Sequence, residues 1–435
     1  MDIDRRTLLG SAAVLAATPA WAATRKPDPR FPQGFLWGAA TAGHQVEGNN
    51  FNADQWVLET VKPAISQVPS GDADNSFELW RTDLDLVKAI GLNSYRFSLE
   101  WPRIEPEPGM FSLAMLDHYK AMIEGCRERG LTPVVTFSHF TSPRWFAMRG
   151  GWTNPEAPAL FARYCDRATR HLGSGIGIAT TFNEPNIGLM LSAILPEGFF
   201  GLLRANLAAA AKATGAASYG VANTVLPEDL PTVTRHLLSA HAEAKSAIKA
   251  VRSDLPVGVS LSMFDDQAAG RNSLRDRKRA ELYGQWLESA RGDDYLGVQN
   301  YERAVWDDRG KLPPPAGSMR NFRGAEVYPP SLAGAVRYAH QATGKPILVS
   351  EHGVGTDNDN VRQALIEGAL PELKRAIDDG VPVLGYIHWS LLDNYEWGGG
   401  FEHGFGLFAV DRQTFRRTAK PSAAVYAAIA RKNSL

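Results

Sequence analysis

The chain has 435 residues, 44% of them hydrophobic, with 46 basic against 47 acidic side chains and a net charge of −1. That is ample apolar material for a large core, and a long chain for one domain unless the domain is an α/β barrel. The near-neutral balance leaves no electrostatic footprint for nucleic acid or anionic lipid, and two cysteines, Cys126 and Cys165, exclude a disulfide framework or a cysteine-based metal site.

In chain order, the first feature is Asp4-Arg5-Arg6-Thr7-Leu8-Leu9, an apolar run from Leu8 to Ala17, then Ala20-Trp21-Ala22. Twin arginine, apolar run and small-x-small site predict a Tat-type signal peptide over residues 1–22, followed by one domain over 23–435. The expected destination is the periplasm or the exterior. An ordinary Sec signal or an uncleaved anchor is the competing reading, although the run is short for a bilayer span. No later stretch is apolar for long enough to cross a membrane, so no stable span is expected after cleavage. No pattern sets an oligomeric state.

Strand-like runs then recur: Phe35–Ala40, Ser94–Leu99, Pro133–Phe137, Ile176–Phe182, Pro256–Ser262, Tyr295–Asn300, Pro346–Ser350 and Val383–Trp389. Between them the apolar spacing predicts helices over Phe77–Ile90, Leu113–Arg129, Ala157–Leu172, Leu230–Val251, Arg277–Arg291, Ser331–Thr343 and Val361–Asp379. Short runs that are apolar throughout suit parallel strands buried on both faces. Repeated β-then-α units in one chain of this length predict a single (β/α)8 TIM barrel. A doubly wound open sheet is the alternative, but no Gly-x-Gly-x-x-Gly follows the first strand.

In a (β/α)8 barrel the chemistry gathers where the strands end. Here those ends carry Gln45, Arg96, His139, Asn183-Glu184, Gln299 with Tyr301, Glu351, and Trp389 with Glu396-Trp397; only the fifth strand lacks such a group. One polar strand end is a turn, but seven on one rim are a pocket. Two carboxylates stand out: Glu184 in "TFNEPN" and Glu351 in "VSEHG". Facing each other, two carboxylates divide the work of acetal hydrolysis, one protonating the leaving oxygen while the other attacks the anomeric carbon. No histidine pair or acidic cluster has metal-ligand spacing, so no metal and no cofactor is expected.

The chain resembles glycoside hydrolase family 1, the β-glucosidase family, over about residues 31–430. The resemblance is carried in order by "FPQGFLWGAATAGHQVEG", "YRFSLEWPRI", "TFNEPN", "VSEHG", "HWSLLDNYEW" and "GFGLFAVD". It implies Glu351 as nucleophile and Glu184 as acid/base, with Arg96 keeping Glu351 ionised and Tyr301 orienting it. It implies Asn183 at the sugar 2-hydroxyl and Gln45, His139 and Glu396 at the other hydroxyls. Trp389 would lie under the ring, Trp397 would close the subsite, and Gln299 and Phe405 complete the substrate-binding set. The implied activity is that of a retaining exo-acting β-glycosidase, a β-glucosidase releasing terminal non-reducing glucosyl residues from small-molecule glycosides.

The chain also departs from the family's pattern. His139-Phe140-Thr141 stands for His-Trp-Asp, Gln299 for an asparagine, and Glu351-His352-Gly353 for Glu-Asn-Gly. The segment from Leu189 to Ala217 is rich in Ala, Leu and Phe where a Gly-rich loop is usual. It reads as a helix packed on the rim or as an apolar entrance for a hydrophobic aglycone. A transglycosylase using the same carboxylates, and a sugar-binding protein without activity, are the competing functions.

Overall fold

The computed structural model describes residues 28–435; the leader expected over residues 1–22 lies outside the described residues. The apolar runs become eight barrel strands, numbered here in chain order: β1 Leu36–Ala40, β2 Ser94–Ser98, β3 Thr132–Ser138, β4 Ile178–Asn183, β5 Val257–Ser262, β6 Tyr295–Asn300, β7 Ile347–His352 and β8 Val383–Trp389. Each pairs in parallel with its neighbours in sequence, and β8 closes on β1, with Ala40 opposite Trp389. Every residue of β4, β5, β6 and β7 is buried. These strands are covered by side chains on one face and helices on the other, which explains runs without polar alternation.

The expected helices form around this barrel, among them Ser76–Ala89, Leu113–Glu128, Ala157–Leu172, Leu230–Val251, Arg275–Ala290, Ser331–Thr343 and Asp359–Asp378. Local chemistry sets their starts. Ser112 caps Leu113–Glu128 by accepting the Met115 N–H, and Pro158 sits in the first turn of Ala157–Leu172, where no N–H is needed. The helix after β8, which the apolar spacing did not single out, is Pro421–Lys432. Its Tyr426 hydroxyl donates to the Gly38 carbonyl at 2.8 Å, tying the chain's end to β1.

Two further pairings lie outside the barrel. Short strands Asp265–Ala268 and Arg303–Trp306 run parallel beyond β5 and β6, and Phe408–Val410 forms a hairpin with Arg417–Ala419. The segment after β4 folds as Ile187–Ile194 and Glu197–Thr214. The second helix buries Leu203 and Ala210, and the Asn206 amide donates to the Leu58 carbonyl at 3.0 Å, yet Ile194 stays 47% exposed and Leu202 38%. Among the described residues no helix is long and apolar enough to cross a membrane.

Besides two register shifts along β8 against β7, the pairing is irregular between Thr180 and Asn183 against β5 and between Val298 and Gln299 against β7. The shifts in β4 and β6 lie at the C-terminal ends of those strands. Such bulges re-aim side chains, and here they flank Asn183, Gln299 and Glu351.

Candidate active site

The site is built around one guanidinium. Arg96, fully buried on β2, reaches across the barrel and donates to Glu351 Oε1 at 2.5 Å and to Asn183 Oδ1 at 2.5 Å. The Tyr301 hydroxyl donates to the other Glu351 oxygen at 2.6 Å. Glu351 therefore has one charged and one neutral donor, fixing its carboxylate plane. Asn183 also accepts from Gln299 Nε2 at 2.6 Å, which leaves its amide nitrogen as the group free for a ligand.

Glu184 follows β4 at φ +43, in the left-handed region that side chains other than glycine seldom occupy. Its N–H donates to the Ser260 carbonyl at 2.8 Å. Two residues on, the buried Asn186 side chain accepts from Ser262 N–H at 3.1 Å and donates to Ser262 C=O at 2.8 Å. This clamps the end of β5 beside Glu184, where Ser262 lowers the Glu184 carboxyl. The fifth strand, expected to bring nothing, thus contributes Ser262. Its signal was weak because a serine in "SLSMF" reads equally as a core hydroxyl.

The two carboxyls differ electrostatically. Burial first, and then the charge of Glu351, raise Glu184 to about 8 against weaker opposition from Ser262, Arg96 and Arg323. Burial also raises Glu351, but Arg96 and Tyr301 pull it back. Of this coupled pair, Glu351 gives up its proton first and Glu184 keeps its own, the division that acetal hydrolysis requires.

The remaining expected residues line the same end of the barrel. Gln45, on the short helix Gly43–Val46 just past β1, donates to the Tyr395 carbonyl at 2.8 Å, and its buried Oε1 has no protein partner. His139 lies flat against Trp389, with ring centroids 5.5 Å apart and planes at 17°. Burial and Arg96 hold it well below the usual imidazole range, so it is neutral, and its Nδ1 also lacks a protein partner. The Trp389 indole N–H donates to Glu396 Oε1 at 3.4 Å, and burial pushes Glu396 up to about 8. Trp397 occupies the 3-10 turn Trp397–Gly399, edge-on to Phe140 at 5.4 Å. Phe405 meets Tyr301 at 6.0 Å and 90°.

Besides Ser262, another group at this end escaped the sequence reading. Arg323, exposed on the loop beyond β6, lies 5.1 Å over the Phe322 ring and lowers both Glu184 and Glu396. Among the described residues Arg323 makes no ion pair, and no group of His, Cys, Asp or Glu is placed to hold a metal. Its loop carries no periodic pattern, so nothing in the sequence aims it at the rim.

A closed (β/α)8 barrel with a proton-holding carboxyl opposite an arginine-paired one, ringed by aromatic and amide groups, defines a hydrolase of glycosidic bonds. The profile of glycosyl hydrolase family 1 matches residues 28–305 and 318–435, and the chain belongs to that family. It is 30% identical over 461 residues to a beta-glucosidase of Agrobacterium sp., covering 92% of this chain and 95% of that one. Among solved structures it is similar to a beta-glycosidase at 44% identity and TM-score 0.88, covering 93% of this chain and 98% of that one. An apo beta-glucosidase is similar at 40% identity and TM-score 0.88, with 92% and 98% covered.

Proposed function

We propose that this glycoside hydrolase is a retaining, exo-acting β-glucosidase working by double displacement. The observation that carries the reading is the arginine bridge: one guanidinium holds both the Glu351 carboxylate and Asn183 at 2.5 Å. Glu351 attacks the anomeric carbon while Glu184 protonates the departing oxygen, giving a glycosyl ester on Glu351. Glu184, now ionised, takes a proton from water, which attacks the ester and releases the sugar with its original configuration. The Asn183 amide nitrogen is oriented for the sugar 2-hydroxyl, where contacts strengthen as positive charge develops on the ring. Gln45, His139, Gln299 and Glu396 supply acceptors and donors for the other hydroxyls, over Trp389, with Trp397 and Phe405 as walls.

Exposed Ile194 and Leu202, on the two helices that follow Glu184, support a hydrophobic aglycone. The twin arginine and apolar run of residues 1–22 support export as a Tat substrate, with residues 23–435 as the mature catalytic domain. The test is the anomer first formed from 4-nitrophenyl β-glucoside, followed by proton NMR. β-Glucose appearing before α supports the reading; α first refutes retention, and turnover of galactoside or fucoside alone refutes glucose as the sugar.

A further inference from the structure

Three non-glycine residues around the site lie at positive φ: Glu184 at +43, Phe140 at +73 and Trp397 at +51. A tryptophan stays in this region only where its surroundings leave it no alternative. The next two glycines, Gly398 and Gly399, offer few contacts, with only Ile65 within 4 Å of an added Cβ, at 3.6 Å from Gly398, whereas Gly400 packs against Val68. What holds the ring is elsewhere. The indole lies flat on the His44 imidazole, with centroids 5.6 Å apart and planes at 9°, and Phe140 meets it edge-on.

His44 is fixed in turn from three sides. Its Nε2 lies 2.8 Å from Glu59 Oε1, its backbone N–H donates to Glu100 Oε1 at 3.1 Å, and the Asn50 amide approaches Nδ1 at 3.3 Å. The second Glu59 oxygen accepts from Ser70 N–H at 2.8 Å and from its hydroxyl at 2.7 Å. Both His44 and Glu59 are buried, so this chain of contacts is shielded from water. It runs from Ser70 through a carboxylate and an imidazole to the face of the indole.

We propose that the His44 ring positions Trp397 and so sets the wall of the sugar subsite, while its bond to Glu59 stabilises the fold around it. His44 acts on the subsite only through the indole. The consequence for catalysis rests on the glycosidase reading above, whereas the positioning itself does not. Because a subsite wall contacts substrate in the ground and transition states alike, losing it raises KM and leaves kcat in place. Aromatic-pair energies place the rise at about two- to tenfold.

Two substitutions separate positioning from plain structural support. His44→Gln keeps a hydrogen bond to Glu59 but has no ring; His44→Phe keeps the ring but loses the bond. Positioning predicts that KM for 4-nitrophenyl β-glucoside rises in His44→Gln, is spared in His44→Phe, and is unaffected by His44→Gln once Trp397 is already alanine. Thermal stability should show the opposite order. A KM rise in His44→Phe matching that in His44→Gln, or one that persists in the Trp397→Ala background, overturns the proposal. Acrylamide quenching of the Trp397 emission, isolated as the difference between parent and Trp397→Phe, needs no turnover. It should increase in His44→Gln, and an unchanged value overturns the proposal. A parent enzyme inactive on the glucoside but showing that increase would defeat the glucosidase reading and leave the positioning intact.

Discussion

Replacing Arg96 by methionine removes the one full positive charge bound to Glu351 while keeping an apolar stem in the barrel. A hydrogen bond to a charged group contributes about 1.5–3 kcal/mol, and 1.36 kcal/mol corresponds to one pKa unit, so the Glu351 carboxyl should rise by about 1–2 units. As nucleophile it must be ionised, so the acid limb of kcat/KM against pH should move up by the same amount. Glu351 is already raised by burial, so its stabilising contribution is present below the unfolded carboxylate value of about 4.5 and is lost as pH rises through its folded value. Without Arg96 that loss deepens, and the variant should be less stable relative to the parent at pH 7 than at pH 5. Arg96→Lys keeps a charge but cannot serve Glu351 and Asn183 with one planar fork; it should show the smaller shift and serves if the methionine variant fails to fold. The assay is kcat/KM for 4-nitrophenyl β-glucoside from pH 4 to 9. An acid limb that stays in place in a folded Arg96→Met enzyme would refute the reasoning.

Glu184→Ala should slow alkyl β-glucosides by about 10²–10⁴-fold and dinitrophenyl β-glucoside far less, because only the poor leaving group needs a proton; equal losses would remove Glu184 from the role. Ser262→Ala removes a hydroxyl that lowers Glu184, so the alkaline limb of kcat/KM should move up, by about 0.5–1 pH unit. A limb that moves down would contradict the assigned influence of Ser262. His352 hydrogen-bonds Tyr386 at 2.9 Å and is held neutral by burial, lowered to about 3. Its contribution is present above the unfolded value near 6.5 and lost as pH falls toward 3, so His352→Asn should lose less stability than the parent between pH 6.5 and 4.5, by about 1–3 kcal/mol in urea melts. Parallel pH dependences would show that His352 does not titrate with unfolding.

The barrel was legible because its strands are buried on both faces and so read as unbroken apolar runs; "IATTF" could sit nowhere else. The boundaries moved by one or two residues where a proline or a rim polar group ended the run, as at Pro256 before β5 and His352 at the end of β7. The helix Pro421–Lys432 was missed because its buried face is mostly alanine, with Tyr426 as its large anchor. Residues that act by their place on a strand end, such as Glu184 and Glu351, could be read one by one. Those that act through long-range contacts could not: Ser262 matters through Asn186, Arg323 through the path of its loop, and His44 through Trp397, far from it in sequence. Sequence spacing carries no trace of such pairings.

The division of labour between Glu351 and Glu184 is tested most directly by chemical rescue. Glu351→Gly should abolish hydrolysis of 4-nitrophenyl β-glucoside, and added azide should enter the cleared space beneath the anomeric carbon and restore turnover. With Glu351 as nucleophile the product, identified by NMR, is the α-glucosyl azide. A β-glucosyl azide, or hydrolysis that survives the substitution, would contradict it.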